Sequence, residues 1–359
     1  MRVLQVISSL RMGGAERLAL ELTARMRGAG LEAELAIFDG TPSPLLDEAR
    51  SRGIHPVVLG MGMRDIYSPA RIKDLRKLTA GKPHFDIVHT HNTAPQLFGA
   101  LACGRRGPAL VTTEHNTTNR RRGSMWGQLF DRALYARYSA IACCSQRVHD
   151  EFVKALGPSP RLLTVTNGID LTPYLSLPPA PHTGDDGKVI LMVSAFREQK
   201  DHLTALRALS LLPDGFTIIF AGDGALRGTT EEACRSMGLA GRVTFTGNVA
   251  DIPALYARAD ISLLSTRYEG LSLACVEAMA SGRPLVATGV PGVEDIVTGG
   301  AGITVRPNDP AGMARAIISL ATDPDLAAGT ACKGRDTAMQ YDIKNTVNNY
   351  INLYKNILA

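Results

Sequence analysis

The chain has 359 residues, of which 45% are hydrophobic and 20% charged, a composition typical of a soluble globular protein. Its six cysteines are scattered without CxxC spacing, which argues against a disulfide scaffold and against a zinc site. No apolar run approaches the roughly 18 residues that a membrane span requires, and the N-terminus lacks a signal-peptide layout, so we expect a cytoplasmic protein.

The length is about twice that of one ordinary domain, so the first expectation is two domains. The net charge of +5 is unevenly distributed along the chain. Residues 1–176 carry 23 Lys and Arg against 15 Asp and Glu, whereas the remainder carries 16 against 19. The first half is therefore the one expected to meet an anionic partner.

Strand-length apolar runs alternate with helical patterns throughout the first half. The predicted strands are 3–9, 32–38, 55–60, 85–91, 109–115, 140–145 and 162–167. Between the first two, residues 15–27 place Leu18, Leu22 and Met26 on one helical face. Apolar strands separated by helices indicate a parallel sheet covered on both sides, which predicts a doubly wound α/β domain over 1–176.

A Pro- and Gly-rich stretch then interrupts the pattern, and it predicts a linker over 177–187. The alternation resumes with predicted strands at 188–195, 216–222, 242–247, 261–265, 284–288 and 302–307. These strands predict a second Rossmann-like domain over 188–340, and residues 341–359 form a helical tail expected to cross back to the first domain. Two such domains should face each other across a ligand-binding cleft.

Two glutamates, Glu269 and Glu277, stand eight positions apart in an otherwise uncharged stretch. A helix is predicted to begin after Ser272 and to end at Gly282, so a helix N-terminus lies between the carboxylates. This layout suits a ligand with an anion in its middle and hydroxyls at both ends, such as a nucleotide diphosphate sugar. Two surface charges are the alternative, but the apolar helix around Glu277 makes a lone carboxylate there costly.

Other polar residues follow neighbouring strands of the same predicted sheet. Arg197 and Lys200 come directly after its first strand, and a Gly-Asp-Gly turn at 222–224 follows the second. Cations at the carboxyl ends of strands can hold a diphosphate and stabilise charge on a leaving group. Solvated surface cations are the alternative interpretation for either residue alone.

The segment EGLSLACVEAMASGRPLVAT, residues 269–288, resembles the E-x7-E signature of the family 4 retaining glycosyltransferases, which have the GT-B architecture. The resemblance extends over essentially the whole chain. It includes GGAER (13–17), FDIVHTHN (85–92), VTTEHNT (111–117), VTNGID (165–170), FREQKD (196–201), AGDG (221–224) and FTGNVADIPALYARADI (245–261).

The resemblance implies roles for residues that match the family's motifs. Glu277 should bind the ribose, Glu269 the donor sugar, and Arg197 and Lys200 the diphosphate. The implied catalytic residues are His115, Glu269, Arg197 and Lys200. The implied donor-binding residues are Gly13, Gly14, Arg197, Lys200, Gly222, Gly247, Asn248, Glu269, Gly270, Leu271, Ser272, Leu273 and Glu277.

In the first half, the resemblance implies that Gly13 and Gly14 let the backbone approach the donor phosphates, although a plain tight turn is an equal alternative. It also implies that His115 lies at the reaction centre beside the acceptor. This chain departs from the family pattern at Ala195, where an arginine is usual, and the role is carried over to Arg197.

His89 and His91 lie two apart on a predicted strand and therefore face the same side, but no carboxylate stands at metal-ligand spacing. The DxD signature of metal-dependent transferases is not evident either. We therefore expect no metal and no cofactor, with the nucleotide sugar as a co-substrate. The resemblance implies retention at the sugar carbon, and since no residue is an evident nucleophile, front-face attack is expected rather than double displacement.

The segment 119–130 combines three arginines with the only tryptophan. Two interpretations stay open: a solvated loop leading into an amphipathic helix, or a contact with an anionic acceptor or a membrane surface. The second would make the acceptor a lipid-linked or otherwise anionic glycan precursor and the protein a peripheral one on the inner membrane face. The residues expected to contact that acceptor are Arg120, Arg121, Arg122 and Trp126.

Other functional classes fit less well. A nicotinamide enzyme is disfavoured because GxGxxG is missing after the first strand of either half. A nucleic-acid binder is suggested only by the basic pI. A binding module without turnover could dispense with Glu269 or His115, and both are present. A nucleotide-sugar epimerase of the same architecture is the nearest enzymatic alternative, and it would convert donor without an acceptor.

Overall fold

The computed structural model describes residues 1–11, 13–104, 107–115, 120–179 and 188–359. These residues form two compact units, one of Met1–Gly168 together with Ile343–Ala359 and one of Ile169–Asp342. Most of the predicted linker, residues 180–187, lies outside the described residues.

The first unit contains a parallel sheet with helices on both faces. In chain order its elements are β1 (Arg2–Ser9), α1 (Gly14–Gly28), β2 (Glu32–Asp39), α2 (Pro44–Ser51), β3 (Val57–Val58), α3 (Ala70–Thr79), β4 (Ile87–His91), α4 (Thr93–Ala102), β5 (Ala109–Glu114), α5 (Met125–Tyr135), β6 (Ala140–Cys143), α6 (Gln146–Leu156) and β7 (Leu162–Thr164). Within the described residues, the seven strands are parallel and lie in the order β3-β2-β1-β4-β5-β6-β7.

The second unit repeats this organisation. Its elements are α7 (Thr172–Leu175), β8 (Lys188–Val193), α8 (His202–Ser210), β9 (Phe216–Ala221), α9 (Arg227–Ser236), β10 (Val243–Gly247), α10 (Ile252–Arg258), β11 (Ile261–Leu264), α11 (Leu273–Ala280), β12 (Leu285–Thr288), β13 (Ile303–Val305), α12 (Pro310–Thr322) and α13 (Pro324–Ala338). The described strands are again all parallel, in the order β10-β9-β8-β11-β12-β13. The prediction of two doubly wound parallel-sheet domains is confirmed.

The C-terminal helix, α14 (Ile343–Leu358), belongs to the first unit although the chain reaches it through the second. Its apolar side chains at Ile343, Val347 and Ile351 are buried in a core cluster with Val3 of β1 and Leu18 of α1. The spacing of four between these helix residues places them on one face, which explains the packing. The crossing back of the tail that the sequence predicts is therefore observed.

The first unit ends at Gly168, eight residues before the boundary expected from the sequence. The physical reason is local packing: Leu171 and Tyr174 are buried in the core of the second unit, where the Tyr174 ring meets Tyr256 edge-on at 5.8 Å. The backbone agrees, because the N–H of Ile169 donates to the carbonyl of Tyr341 at 2.9 Å.

Each sheet has one position where the strand order reverses, and loops from its two flanking strands diverge there. In the first sheet this position lies between β1 and β4, and in the second between β8 and β11. Ligands of open α/β sheets bind outside the carboxyl ends of the strands at such positions. The residues that follow β1, β4, β8 and β11 are therefore candidates for a ligand-binding site.

Candidate active site

Lys200 and Glu269 meet at the reversal point of the second sheet. The Lys200 ammonium contacts a Glu269 carboxylate oxygen, and the hydroxyl of Thr266 donates to the same oxygen at 3.0 Å. Glu269 is only 7% exposed, so it is not a solvated surface charge. Two residues that the sequence predicted for one site are thus in direct contact.

Hydrogen bonds join the two loops that carry this pair. The side-chain amide of Gln199 donates to the carbonyl of Tyr268 at 2.7 Å, and the N–H of Arg267 donates to the carbonyl of Gln199 at 2.8 Å. A short 3₁₀ turn, Glu198–Lys200, is held in this way against the loop after β11. Arg197 precedes that turn and is exposed at the carboxyl edge of the sheet.

Helix α11 begins next to Glu269. Ser272 is its N-cap as predicted, but the Ser272 side chain makes no capping hydrogen bond to the first turn. The loop at Glu269 lies close to Gly292, where an added Cβ would approach the Glu269 carbonyl oxygen to 2.4 Å. This helix start, with its positive dipole end, can accept an anion, and Gly270, Leu271 and Leu273 border it.

Glu277 lies in the second turn of α11 and is half-buried. Burial and the nearby Glu277 carboxylate together raise the pKa of Tyr256 well above its ordinary value. The glutamate therefore lies near the buried ring of Tyr256. Its predicted role toward ribose stays a prediction.

The Gly222–Gly224 turn brings three strand ends together. Gly222 has φ +141°, and a Cβ there would lie 2.2 Å from the Ser194 carbonyl oxygen. Gly222 also donates its N–H to the carbonyl of Gly247 at 2.9 Å. Gly222 and Gly247 thus lie beside the end of β8, while Asn248 is exposed just beyond.

In the first unit, Gly13 caps α1 and Gly14 is its first residue, at the carboxyl end of β1; Met12 lies outside the described residues. A Cβ on Gly13 would meet the Glu16 carboxylate at 2.2 Å. That carboxylate accepts from the Asn92 side chain at 3.3 Å, and burial raises the pKa of Glu16. Asn92 has φ +68°, a strained conformation that is common at functional sites.

Glu16 and Asn92 were not among the predicted site residues. A signal for both was present, because Glu16 belongs to GGAER and Asn92 follows a strand that ends in two histidines.

His115 follows β5 and is half-buried. Its Nε2 lies 3.2 Å from Nδ1 of His91. Burial lowers the pKa of His115 to about 4, and it lowers the pKa of His89 to about 3 and that of His91 well below its ordinary value. All three rings are therefore neutral near pH 7. In the part of the chain that the structure describes, no group of three or more His, Cys, Asp or Glu side chains is arranged to hold a metal ion.

The position of Arg122 contradicts both interpretations of the arginine-rich segment 119–130, because each of them predicted an arginine at the surface. It is only 8% exposed, and its guanidinium pairs with Glu114 at 2.9 Å and with Asp131 at 3.3 Å. Tyr135 accepts from it at 3.0 Å, and the ring of Phe152 lies 4.8 Å from its guanidinium carbon. Arg122 therefore links the end of β5 to α5 and is not available to an acceptor.

The other side chains of the segment that the structure describes are more exposed. Arg121 forms an ion pair with Asp131 at 2.9 Å and remains partly exposed, whereas the side chain of Arg120 lies outside the description. Four large apolar side chains of α5 face solvent, each between 46% and 75% exposed: Met125, Trp126, Leu129 and Phe130. No helix in the described ranges is both long and apolar enough to cross a membrane.

Two family models match successive parts of the chain. The model described as Glycosyltransferase Family 4 matches residues 12–173, and the model described as Glycosyl transferases group 1 matches residues 187–323. The two matches fall on the two halves that carry the two sheets.

Similar proteins match over most of their length. EpsF of Bacillus subtilis (strain 168) is 26% identical over 383 residues, covering 98% of this chain and 96% of EpsF. A glycogen synthase of Mycobacterium tuberculosis (strain CDC 1551 / Oshkosh) is 30% identical over 294 residues, covering 77% and 69%. A crystal structure of Anabaena HepE in complex with UDP and glucose superimposes with a TM-score of 0.84 at 22% identity, covering 99% of both chains. The fold is therefore shared over the full length.

Proposed function

This chain belongs to the family 4 glycosyltransferases, and we propose that it moves a sugar from a nucleotide diphosphate sugar to a hydroxyl acceptor. The transfer retains configuration at the sugar carbon and requires no metal ion. The acceptor is a lipid-linked glycan or polysaccharide precursor, met at the inner face of the membrane.

The contact between Lys200 and Glu269 beside the start of α11 is the observation that carries the donor site. A buried carboxylate, a cation and the N-terminus of α11 form one surface that matches a sugar next to a diphosphate. In the proposed arrangement, Glu269 receives sugar hydroxyls and Glu277 receives ribose hydroxyls. The complex of Anabaena HepE with UDP and glucose supports a nucleotide-sugar donor for this fold.

The diphosphate is held by charge on the protein. Arg197 and Lys200 lie after β8, and the dipole of α11 adds positive potential at the same edge. These groups stabilise the charge that develops on the leaving diphosphate, which is the role a metal ion has in other transferases.

The proposed chemistry is a front-face substitution. The bond between the sugar carbon and the diphosphate oxygen breaks while the acceptor oxygen bonds to the same carbon from the same face. The acceptor's proton passes to the departing phosphate oxygen, so no protein nucleophile is required. Glu269 suits binding of the sugar better than nucleophilic attack, because its carboxylate is held by Lys200 and Thr266.

The acceptor side of the proposal rests on the exposed apolar face of α5. Met125 and Leu129 lie one turn apart, as do Trp126 and Phe130, so the four side chains share one face of the helix. An exposed apolar face on a basic unit is typical of contact with an anionic lipid surface. Arg120 and Arg121 remain candidate acceptor contacts, whereas Arg122 is buried between Glu114 and Asp131.

Ligand-detected NMR tests the donor assignment. Saturation-transfer spectra would be recorded with UDP-, GDP- and ADP-sugars in the presence of a chelator, and repeated with Glu277→Ala. Binding of one donor by the native protein and its loss in the variant are the expected results. Conversion of the bound donor to another sugar without any acceptor would instead identify an epimerase, and no binding to any donor by the folded protein would overturn the proposal.

A further inference from the structure

A buried chain of polar side chains connects His115 to the C-terminal helix. Its inner members come from three neighbouring strands and from α14, and every one of them is fully buried: Gln5, His89, His91, Thr113, Tyr350 and Tyr354. Buried polar groups are costly unless they are hydrogen-bonded, so a chain of this length in a core has a role beyond packing.

The first part of this hydrogen-bonded network leads inward from His115. Its Nε2 lies 3.2 Å from Nδ1 of His91, and Nε2 of His91 lies 2.9 Å from Oε1 of Gln5. Each of these two histidine rings therefore has a defined partner on the core side.

The second part of the hydrogen-bonded network leads from Gln5 to α14 and back to the sheet. The amide nitrogen of Gln5 donates to the Tyr354 hydroxyl at 3.3 Å, which lies 2.6 Å from Nδ1 of His89. Nε2 of His89 lies 2.7 Å from the Thr113 hydroxyl, which in turn lies 2.7 Å from the Tyr350 hydroxyl. The last helix of the chain thus completes the hydrogen bonding beneath the first sheet.

The chemistry of the groups fixes the direction of the protons. An amide oxygen only accepts, so Nε2 of His91 carries a proton and donates to Gln5. His91 is neutral, so its Nδ1 must accept, and Nε2 of His115 must donate to it. The neutral ring of His115 is then left with an unprotonated Nδ1.

The orientation of the Gln5 amide decides this pattern, because a rotated amide would reverse the bonds from Gln5 through His91 to His115. The Gln5 nitrogen lies 3.7 Å from the sulfur of Met26. A thioether sulfur can accept a hydrogen bond but has no proton to donate, so it favours the amide nitrogen at this position over the oxygen. Met26 of α1 and Tyr354 of α14 therefore hold the amide from the same side.

We propose that Gln5 and Tyr354 are positioning residues that hold His115 with its proton on Nε2, so that its Nδ1 accepts a hydrogen bond from a substrate hydroxyl. The contact with substrate rests on the proposed transferase function, whereas the tautomer of the ring does not. The C-terminal helix is accordingly part of the machinery that orders the reaction centre of the first unit.

Nitrogen NMR measures the tautomer directly. Long-range proton–nitrogen spectra of protein labelled with ¹⁵N-histidine would distinguish a protonated from an unprotonated Nδ1, and the variant His115→Gln assigns the signals. We expect an unprotonated Nδ1 in the native protein. In Tyr354→Phe, the Gln5 amide loses an acceptor, and the His115 signals should move toward a mixture of tautomers.

Tyr138→Phe is the matched control. Tyr138 is equally buried and hydrogen-bonded in the same unit, to the Gln96 carbonyl at 2.6 Å and to the Thr90 hydroxyl at 3.1 Å, and neither hydrogen bond involves a member of the network that joins His115 to Tyr350. It should leave the His115 signals unchanged. With an active donor and acceptor pair, kcat should fall about three- to tenfold in Tyr354→Phe, the effect of one hydrogen bond, with donor affinity unaltered.

The possible outcomes separate the two proposals. A protonated Nδ1 in native His115, or an unchanged spectrum in Tyr354→Phe, would overturn the positioning role even if the protein transfers sugar. The expected tautomer without any sugar transfer would leave that role intact and contradict the function. If Tyr354→Phe does not fold, Gln5→Leu removes the acceptor of His91 and tests the same link.

Discussion

The side chains of Lys200 and Glu269 form a direct ion pair that joins the loops after β8 and β11. Only 6% of the Glu269 side chain and 18% of the Lys200 side chain reach solvent. A diphosphate that binds at this edge competes with Glu269 for Lys200. In the proposed arrangement, Lys200 would therefore be shared between the diphosphate and the Glu269 carboxylate.

A double-mutant cycle tests the pair. In Lys200→Met, Glu269 keeps its burial but loses its cation, and we expect the free energy of unfolding to fall by about 2–3 kcal/mol, because some water still reaches the pair. Adding Glu269→Gln to Lys200→Met should recover part of that loss. Urea unfolding followed by circular dichroism gives the free energy of unfolding of the native protein, the two single variants and the double variant. Losses that add within about 0.5 kcal/mol would show that the two side chains are not coupled.

Glu277 is expected to bind ribose hydroxyls. Glu277→Gln keeps the size of the side chain and removes its charge, so each lost charged hydrogen bond should cost about 1.5–3 kcal/mol, and donor Kd should rise about ten- to a hundredfold. Titration calorimetry with the donor identified by NMR measures the change. Glu232→Gln on α9, exposed and of identical charge change, is the control. Equal Kd values for the two variants would argue against the ribose assignment.

The fold followed from the sequence because parallel strands buried on both faces leave continuous apolar runs. That signal is strong for β1 and β9 and weak for β3, where only Val57–Val58 of the predicted strand 55–60 forms a strand. The boundary at Gly168 could not be predicted in the same way. Whether Leu171 packs on one unit or the other depends on contacts distant in sequence.

The same reason separates the site residues that the sequence predicts from those that it does not. The pair of Lys200 and Glu269 was predictable because both follow strands that are neighbours in a parallel sheet. The burial of Arg122 was not, since an arginine beside two others is usually solvated, and its partner Asp131 comes from the following helix. Gln5 and Tyr354 were also missed, because their contact joins the two ends of the chain.

Gly222 should tolerate no side chain. Its φ of +141° strains any L-residue, and a Cβ would lie 2.2 Å from the Ser194 carbonyl. Gly222→Ala should therefore lower the free energy of unfolding by more than about 1 kcal/mol and weaken donor binding by displacing the end of β8. Gly228→Ala on α9 is the control, because no described atom other than its chain neighbours and the backbone of its own helix lies within 4 Å of its Cβ position, and alanine favours a helix. Similar stability of the two variants would contradict the prediction.

Acid should destabilise the protein through its buried histidines. Burial lowers the pKa of His89 to about 3 and that of His115 to about 4, against an ordinary value of 6.5. Above about pH 6.5, the two histidines are neutral in the folded and in the unfolded protein. As the pH falls from about 6.5 toward 4, the unfolded chain binds protons that the folded chain does not, so the free energy of unfolding must decrease.

The contribution of His89 can be measured from the slope of the free energy of unfolding against pH. His89→Gln removes one of the groups that bind a proton only on unfolding, so its free energy of unfolding should decline less steeply than that of the native protein between pH 6.5 and 5. Urea unfolding at several pH values in that window gives both slopes. An identical slope in the variant would mean that His89 is protonated in the folded state too.

Trp126 is the chain's only tryptophan and is 75% exposed on α5, so it reports directly on contact with a lipid surface. Vesicles containing an anionic lipid should shift its fluorescence to shorter wavelength because the indole leaves water, and added salt should weaken the effect. Leu129→Ser with Phe130→Ser keeps the reporter but removes apolar area from the same face. Each lost side chain contributes about 1.5–3 kcal/mol when fully buried, so partitioning should fall at least about tenfold. Leu211→Ser, an exposed leucine of the second unit, should bind vesicles like the native protein. No fluorescence shift at low salt would exclude α5 as the membrane contact, and the acceptor would then have to reach the reaction centre from solution.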